Sequence, residues 1–253
     1  MGILNVTPDS FADGGRHNEF EAAVARGLAM IAEGVDIIDI GGESTRPGAE
    51  RVSEEEEIAR VIPVITELAK HGTVISIDTM RASTAEAAIK AGASIINDVS
   101  GGLADPDMLQ TVARLQVPYI AMHWRGQSKD MNSKAIYADV VSDVISELNE
   151  RIDAALDAGI QKDKLIIDPG IGFAKDAEHN WAIIDAIDQF VALGYPVLVG
   201  GSRKRFLGGE TPDEREQATI ELTKRLGTTG VWAVRVHLSL IHISEPTRLR
   251  RIS

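Results

Sequence analysis

The sequence predicts a single α/β domain of the (β/α)8 TIM-barrel class, and three observations carry that prediction. Short apolar, β-branched runs recur near residues 35–40, 74–77, 94–96, 119–122, 165–167, 197–199 and 232–236. They are continuous rather than alternating, as expected of parallel strands covered on both faces. Each run leads to polar groups, among them Glu43, Asp78, Asn97, His123, Asp168, Ser202 and His237. Amphipathic segments separate the runs, so the polar groups gather at strand C-terminal ends, where barrel loops converge on one site.

Bulk properties narrow the field. A chain of 253 residues without a Pro/Ser-rich linker suits one barrel better than two smaller domains. A hydrophobic content of 44% supports a large core, and no apolar run is long enough to cross a bilayer, so no membrane partner is expected. The formal charge of -12 argues against a nucleic-acid binder, which needs clustered Lys and Arg. The absence of cysteine excludes disulfides and thiolate metal sites and is compatible with a cytoplasmic location.

Taken in order, the chain opens inside an apparent strand with almost nothing before it. We therefore expect a native N-terminal extension to be missing. The loop that follows, long, polar, with Phe11 in its middle and closed by Gly14 and Gly15, reads as an active-site loop. A helix over 19–33 carries Phe20, Val24, Leu28 and Ile31 on one face and stops at Gly34. The loop 43–48 sets Arg46 between a Thr and a Pro, a shaped backbone with a cation free to reach an anion. Ser53 begins the next helix, with Glu56 placed for a capping box, so the acidic run 54–57 reads as a solvated helix start rather than a metal site.

Asp78 and Asn97 close two strands around a helix over 84–91; taken singly, each reads as an N-cap. His, Trp and Arg at 123–125 are costly to bury and wasteful to expose, although a lone His is more often structural. A long helix covers 139–158 and stops at Gly159, and a further helix spans 176–193. Arg203, Lys204 and Arg205 lie between glycine pairs and read as an anion cradle. Thr211 and Pro212 start another capped helix. After His237 the pattern fails: residues 238–253 lack a helical face, contain Pro246 and are basic, so the domain is expected to span 1–237, with a non-native tail over 238–253 in place of the last helix.

Five motifs in this order resemble dihydropteroate synthase: NVTPDSF at 5–11, ESTRPG at 43–48, DPGIGF at 168–173, SRK at 202–204 and RVH at 235–237. The segment 122–126 is most similar to actinobacterial versions. The resemblance departs from the family at Leu238, where an Asp usually follows the final His. It implies condensation of 6-hydroxymethyl-7,8-dihydropterin pyrophosphate with p-aminobenzoate in folate biosynthesis, with Mg2+ as cofactor held through Asn5. The pterin falls to Asp78, Asn97, Met122, Asp168, Phe173 and Lys204, and the pyrophosphate to Asn5, Arg235 and His237. p-Aminobenzoate falls to Thr45, Arg46, Pro47, Phe173 and Ser202, while Asn5, Arg46, Lys204, Arg235 and His237 are the catalytic candidates.

The residue chemistry agrees with those assignments. A pterin edge presents adjacent N–H donors, which a buried carboxylate such as Asp168 accepts in pairs. The resemblance also implies a homodimer for the intact family, formed through late helices. Two competing readings remain at this level: a pterin-dependent methyltransferase module, which the 43–48 and 202–204 motifs disfavour, and an inactive pterin-binding fragment.

Overall fold

The computed structural model describes residues 1–7, 15–43, 51–126 and 131–237. Six strands pair in parallel and in sequence order: β1 (Gly2–Asn5), β2 (Ile37–Gly41), β3 (Val74–Asp78), β4 (Ile95–Asp98), β5 (Tyr119–Met122) and β6 (Leu165–Asp168). β7 (Leu198–Val199) and β8 (Ala233–Val234) pair with each other. Single parallel bridges, Ile167 with Val197 and Gly2 with Val236, join the two sheets at both seams. The Ile3 N–H donates to Val236 O and the Val236 N–H to Met1 O, each at 3.0 Å. All eight strands thus form one ring, as the apolar runs predict.

Helices cover the outside of the ring: α1 (Gly15–Ala32), α2 (Glu54–Ala69), α3 (Ala82–Ala91), α4 (Met108–Leu115), α5 (Val140–Asp157), α6 (Ala177–Asp185), α7 (Ile187–Val191) and α8 (Glu216–Gly227). The main core lies between strands and helices, where outward-facing Ile38, Ile40, Ile77, Ile96, Tyr119 and Ile167 meet Val61, Ile65, Leu68, Val144 and Leu148. A second, separate core fills the lower ring interior with Ile37, Ile95, Ile120, Ile166, Leu198 and Ala233. Two cores divided by one sheet explain why the strands read as unbroken apolar runs.

Several local expectations need correction. The segment read as one helix over 176–193 breaks at Ala186 into α6 and α7. α4 escaped the sequence reading altogether. Thr211 does not start a helix; its hydroxyl accepts from the Glu214 N–H in a turn, and α8 begins at Glu216. Ser53 caps α2 by accepting from the Glu56 N–H, as expected, but the acidic run that follows is not wholly solvated: Glu57 is buried. It accepts hydrogen bonds from Thr79 and Arg81, and Arg81 also bonds Glu43. The first loop at 8–14, the 44–50 segment and the tail at 238–253 lie outside the described residues.

Candidate active site

The upper ring interior is built by advancing two residues along each strand beyond the lower core. Because side chains alternate faces, the residue two places on from an inward apolar one also points inward. Ile37 is followed by Asp39, Ile95 by Asn97, Ile120 by Met122, Ile166 by Asp168 and Ala233 by Arg235. Registers keep these positions level: Asp78 stands beside Gly41 and Asn97, and Met122 beside Asp168. Asp39, Asp78, Asn97, Met122 and Asp168 are all buried.

On one side of the interior, Arg235 bridges two carboxylates. Its Nε donates to Asp39 Oδ2 and its Nη2 to Asp78 Oδ2, each at 2.5 Å. Asn97 Nδ2 donates to the same Asp39 oxygen at 3.1 Å. Burial pushes the Asp78 carboxyl up to about 7, with Arg235 opposing and Asp39 reinforcing the shift. Burial acts downward on the Arg235 guanidinium, but Asp39 and Asp78 outweigh it and raise its pKa further. Asp39 Oδ1 is buried and has no hydrogen-bond partner among the described residues, an acceptor left in this polar interior.

The opposite side is built by residues 168–175, which turn back over the top of β6. Asp168 Oδ1 accepts from the Gly170 N–H at 2.7 Å. Burial raises the Asp168 pKa against that hydrogen bond and against Lys204 and Arg235. Lys204 enters from β7 across Gly172, where a Cβ would stand 2.3 Å from Lys204 Cδ. That approach requires glycine, as does the φ of +78°. The Lys204 ammonium donates to the Ile171 carbonyl and lies 4.1 Å from the Phe173 ring centroid. Burial lowers its pKa to about 7.

Ser202 and His237 meet nearby: the His237 N–H donates to Ser202 Oγ at 3.1 Å. Asn5 ends β1 beside Gly41, on the rim of the same ring. The structure therefore gathers Asn5, Asp78, Asn97, Met122, Asp168, Phe173, Ser202, Lys204, Arg235 and His237 around one mouth. Thr45, Arg46 and Pro47 lie outside the described residues.

Three readings change on this geometry. Asp78 and Asn97 face the interior and are not caps; the turn-forming acid is Asp98, which accepts from the Ser100 and Gly102 N–H groups. The three cations at 203–205 do not converge as a cradle: Lys204 turns inward, Arg203 lies 3.8 Å from Glu216, and Arg205 is exposed in a short 3-10 turn. His123 is buried and paired with Glu147 rather than lining the mouth. Asp39, Lys175 and Glu147 are contributors that the sequence reading left without a role. Asp39 had a signal, since an acid inside an apolar run that is covered on both faces must be paired. A groove of about 500 Å³ between α3 and α4 lies in the outer layer, and its Arg114 and Glu86 pair at 2.8 Å, so it competes poorly with the mouth.

A parallel barrel whose mouth sets a buried carboxylate against a half-buried lysine, with Asn and Asp opposite them, has the shape of a heterocycle-binding enzyme. The chain belongs to the pterin-binding enzyme family: the family model described as "Pterin binding enzyme" matches residues 1–237. Within that family it is similar to the dihydropteroate synthase of Mycobacterium leprae, at 49% identity over 94% of this chain and 87% of the relative. Among solved structures it resembles the Xanthomonas albilineans dihydropteroate synthase with 4-aminobenzoic acid. The two share 45% identity and a TM-score of 0.90, over 96% of this chain and 88% of the other. A complex of the same enzyme with 7,8-dihydropteroate matches at 42% identity and a TM-score of 0.86, again over 96% and 88%.

Proposed function

We propose that this chain condenses 6-hydroxymethyl-7,8-dihydropterin pyrophosphate with p-aminobenzoate, giving dihydropteroate and pyrophosphate for folate biosynthesis. The observation that carries the reading is the Asp168 and Lys204 pair at the mouth of the ring, with Asp78 and Asn97 opposite it. The relatives support the chemistry, since two solved neighbours hold 4-aminobenzoic acid and 7,8-dihydropteroate.

In this reading Asp168 accepts paired N–H donors from the pterin edge, and Lys204 donates to the ring oxygen and nitrogen. Asp78 and Asn97 read the remaining ring positions, while Met122 and Phe173 pack against its faces. The carbon–oxygen bond to pyrophosphate breaks, and the electron-rich pterin supports positive charge on the methylene carbon. The aromatic amine is largely unprotonated at neutral pH, so it attacks without a strong base and then loses a proton to solvent. Arg235, His237 and Asn5 stabilise the departing anion, a preorganised electrostatic contribution. Thr45, Arg46, Pro47, Phe173 and Ser202 hold p-aminobenzoate.

Mg2+ belongs to the same proposal. Among the described residues no group of three His, Asp or Glu side chains forms a cage. Asn5 offers one hard oxygen at the rim, which suits an ion that takes few protein ligands and shares the substrate's phosphate oxygens. When bound, the ion neutralises charge on the leaving pyrophosphate. A cytoplasmic location and, for the intact family, a homodimer assembled through late helices complete the reading. Among the described residues no helix is long and apolar enough to cross a membrane.

The test is pyrophosphate release from the purified chain with dihydropterin pyrophosphate and Mg2+, with p-aminobenzoate present or withheld. Release that requires p-aminobenzoate is expected. No release from a folded, pterin-binding chain overturns the synthase reading in favour of an inactive pterin-binding fragment.

A further inference from the structure

We propose that Lys175 is a positioning residue for the pterin: it ties the carbonyls of Gly170 and Phe173 to His123 and thereby fixes the separation of Asp168 and Lys204. The proposal rests on the pterin-binding reading above. Lys175 reaches Phe173 only through its backbone carbonyl and hydrogen-bonds no side chain assigned to the substrates.

Three acceptors converge on its buried ammonium. Lys175 Nζ lies 2.9 Å from His123 Nδ1 and 3.1 Å from both the Gly170 and the Phe173 carbonyl oxygens. An ammonium carries three donors and no acceptor, so one side chain satisfies all three. Positive φ values at Gly170, Ala174 and Gly172 fold the loop tightly enough for this. Gly170 allows no side chain, because a Cβ would stand 2.4 Å from the His123 carbonyl oxygen.

His123 serves as an acceptor only if it is neutral with its proton on Nε2. Burial keeps the imidazole neutral, and Glu147 selects the tautomer: its Oε2 lies 2.9 Å from His123 Nε2, and Arg125 holds the same carboxylate. Burial lowers the imidazole to about 4 and the Lys175 ammonium to about 7, consistent with a neutral His facing a costly buried cation. The geometry transmits this order directly to the site. Gly170 N–H binds the Asp168 carboxylate, Ile171 O receives Lys204, and the Phe173 ring lies beneath the Lys204 ammonium. Each of these groups lies within the segment that Lys175 ties down.

The test is Lys175→Met in the full chain. Binding of 6-hydroxymethyl-7,8-dihydropterin is read by calorimetry, and turnover is read as separate KM and kcat values. Dihydropterin binding is expected to weaken about tenfold, with the p-aminobenzoate KM and the kcat at saturation held within about threefold. Unchanged dihydropterin affinity overturns the proposal. So does a fall in kcat with both KM values unchanged, the pattern of a partly unfolded enzyme.

If Lys175→Met does not fold by circular dichroism, Lys175→Gln, which keeps a shorter neutral donor, is read in the same assays. It is expected to weaken dihydropterin binding about threefold; unchanged affinity, or failure of this variant to fold as well, overturns the positioning role. Wild-type chain that binds dihydropterin without turnover sinks the synthase reading alone and leaves this comparison intact. Wild-type chain that does not bind it overturns both.

Discussion

The lower and upper halves of the ring interior are built by the same strands two residues apart, yet they obey opposite rules. The floor of Ile37, Ile95, Ile120, Ile166, Leu198 and Ala233 is apolar and needs only to fill space. The mouth above it buries Asp39, Asp78, Asn97 and Asp168 with Lys204 and Arg235 close by, and every one of these needs a partner. The pairing is incomplete: among the described residues Asp39 Oδ1 has no donor, and burial raises the pKa of both Asp78 and Asp168. Floor residues therefore supply stability and mouth residues give part of it up. The unspent hydrogen-bonding capacity of the mouth is what a ligand with matching donors and acceptors takes up.

The comparison breaks most visibly if the mouth is cut at Asp168. Asp168→Asn keeps the shape but removes the charge that accepts paired donors, so dihydropterin pyrophosphate turnover is expected to fall about 1000-fold in kcat/KM. Thermal stability is expected to stay level or rise, because a costly buried carboxylate is gone. A variant within a few-fold of wild-type kcat/KM contradicts the assignment.

On the floor the signs reverse. Ile166→Ala, two residues upstream on the same strand, is expected to cost about 3 kcal/mol of stability through lost burial and a cavity. Its dihydropterin affinity should be unchanged. Urea unfolding and calorimetric titration separate the two effects, and a loss of affinity matching the loss of stability shows that floor and mouth are not independent.

Lys204→Ala sharpens the contrast within the mouth itself. Removing the ammonium that lies over Phe173 is expected to weaken dihydropterin binding about 30-fold, whereas Arg46→Ala spares that binding and impairs turnover. Equal dihydropterin affinity in wild type and the Lys204 variant contradicts this division of roles.

Much of this arrangement was legible because the barrel's constraints are local. Strands covered on both faces must be apolar throughout, so Asp168 at the end of an Ile-Ile run announced itself, whereas Lys204 was set apart from its neighbouring cations only by the SRK resemblance. The losses have physical reasons too. Asp39 sits inside a run whose ends drew the functional reading, and its partner Arg235 is 196 positions away in sequence. Glu147 and His123 are separated by 24 positions, and only the packing of α5 against β5 brings them together. The cation cluster at 203–205 misled because adjacent residues on a turn point in different directions. Lys175 lies two residues beyond the DPGIGF motif, but nothing in the spacing showed that three acceptors would close on it.

His123 offers the smallest effect and a way to test the support behind the mouth. Its imidazole is held neutral down to about 4, against an ordinary value of 6.5, chiefly by burial and secondarily by the Lys175 ammonium, while Glu147 pulls the other way. Arg125 and the Tyr137 ring also face this group. In the unfolded chain the imidazole takes up its proton as pH drops through its ordinary value, whereas in the folded chain it refuses one until about pH 4. The contribution of His123 to folding stability therefore falls as pH is lowered across that window, by about 1 kcal/mol at pH 5.5 relative to neutrality. His123→Gln keeps an acceptor for Lys175 but cannot titrate, so the difference between wild-type and variant urea midpoints should shrink on going from pH 7 to pH 5. A difference that stays constant over that range means the imidazole is not held neutral by its surroundings. The support behind the mouth would then resemble the floor, held by packing alone.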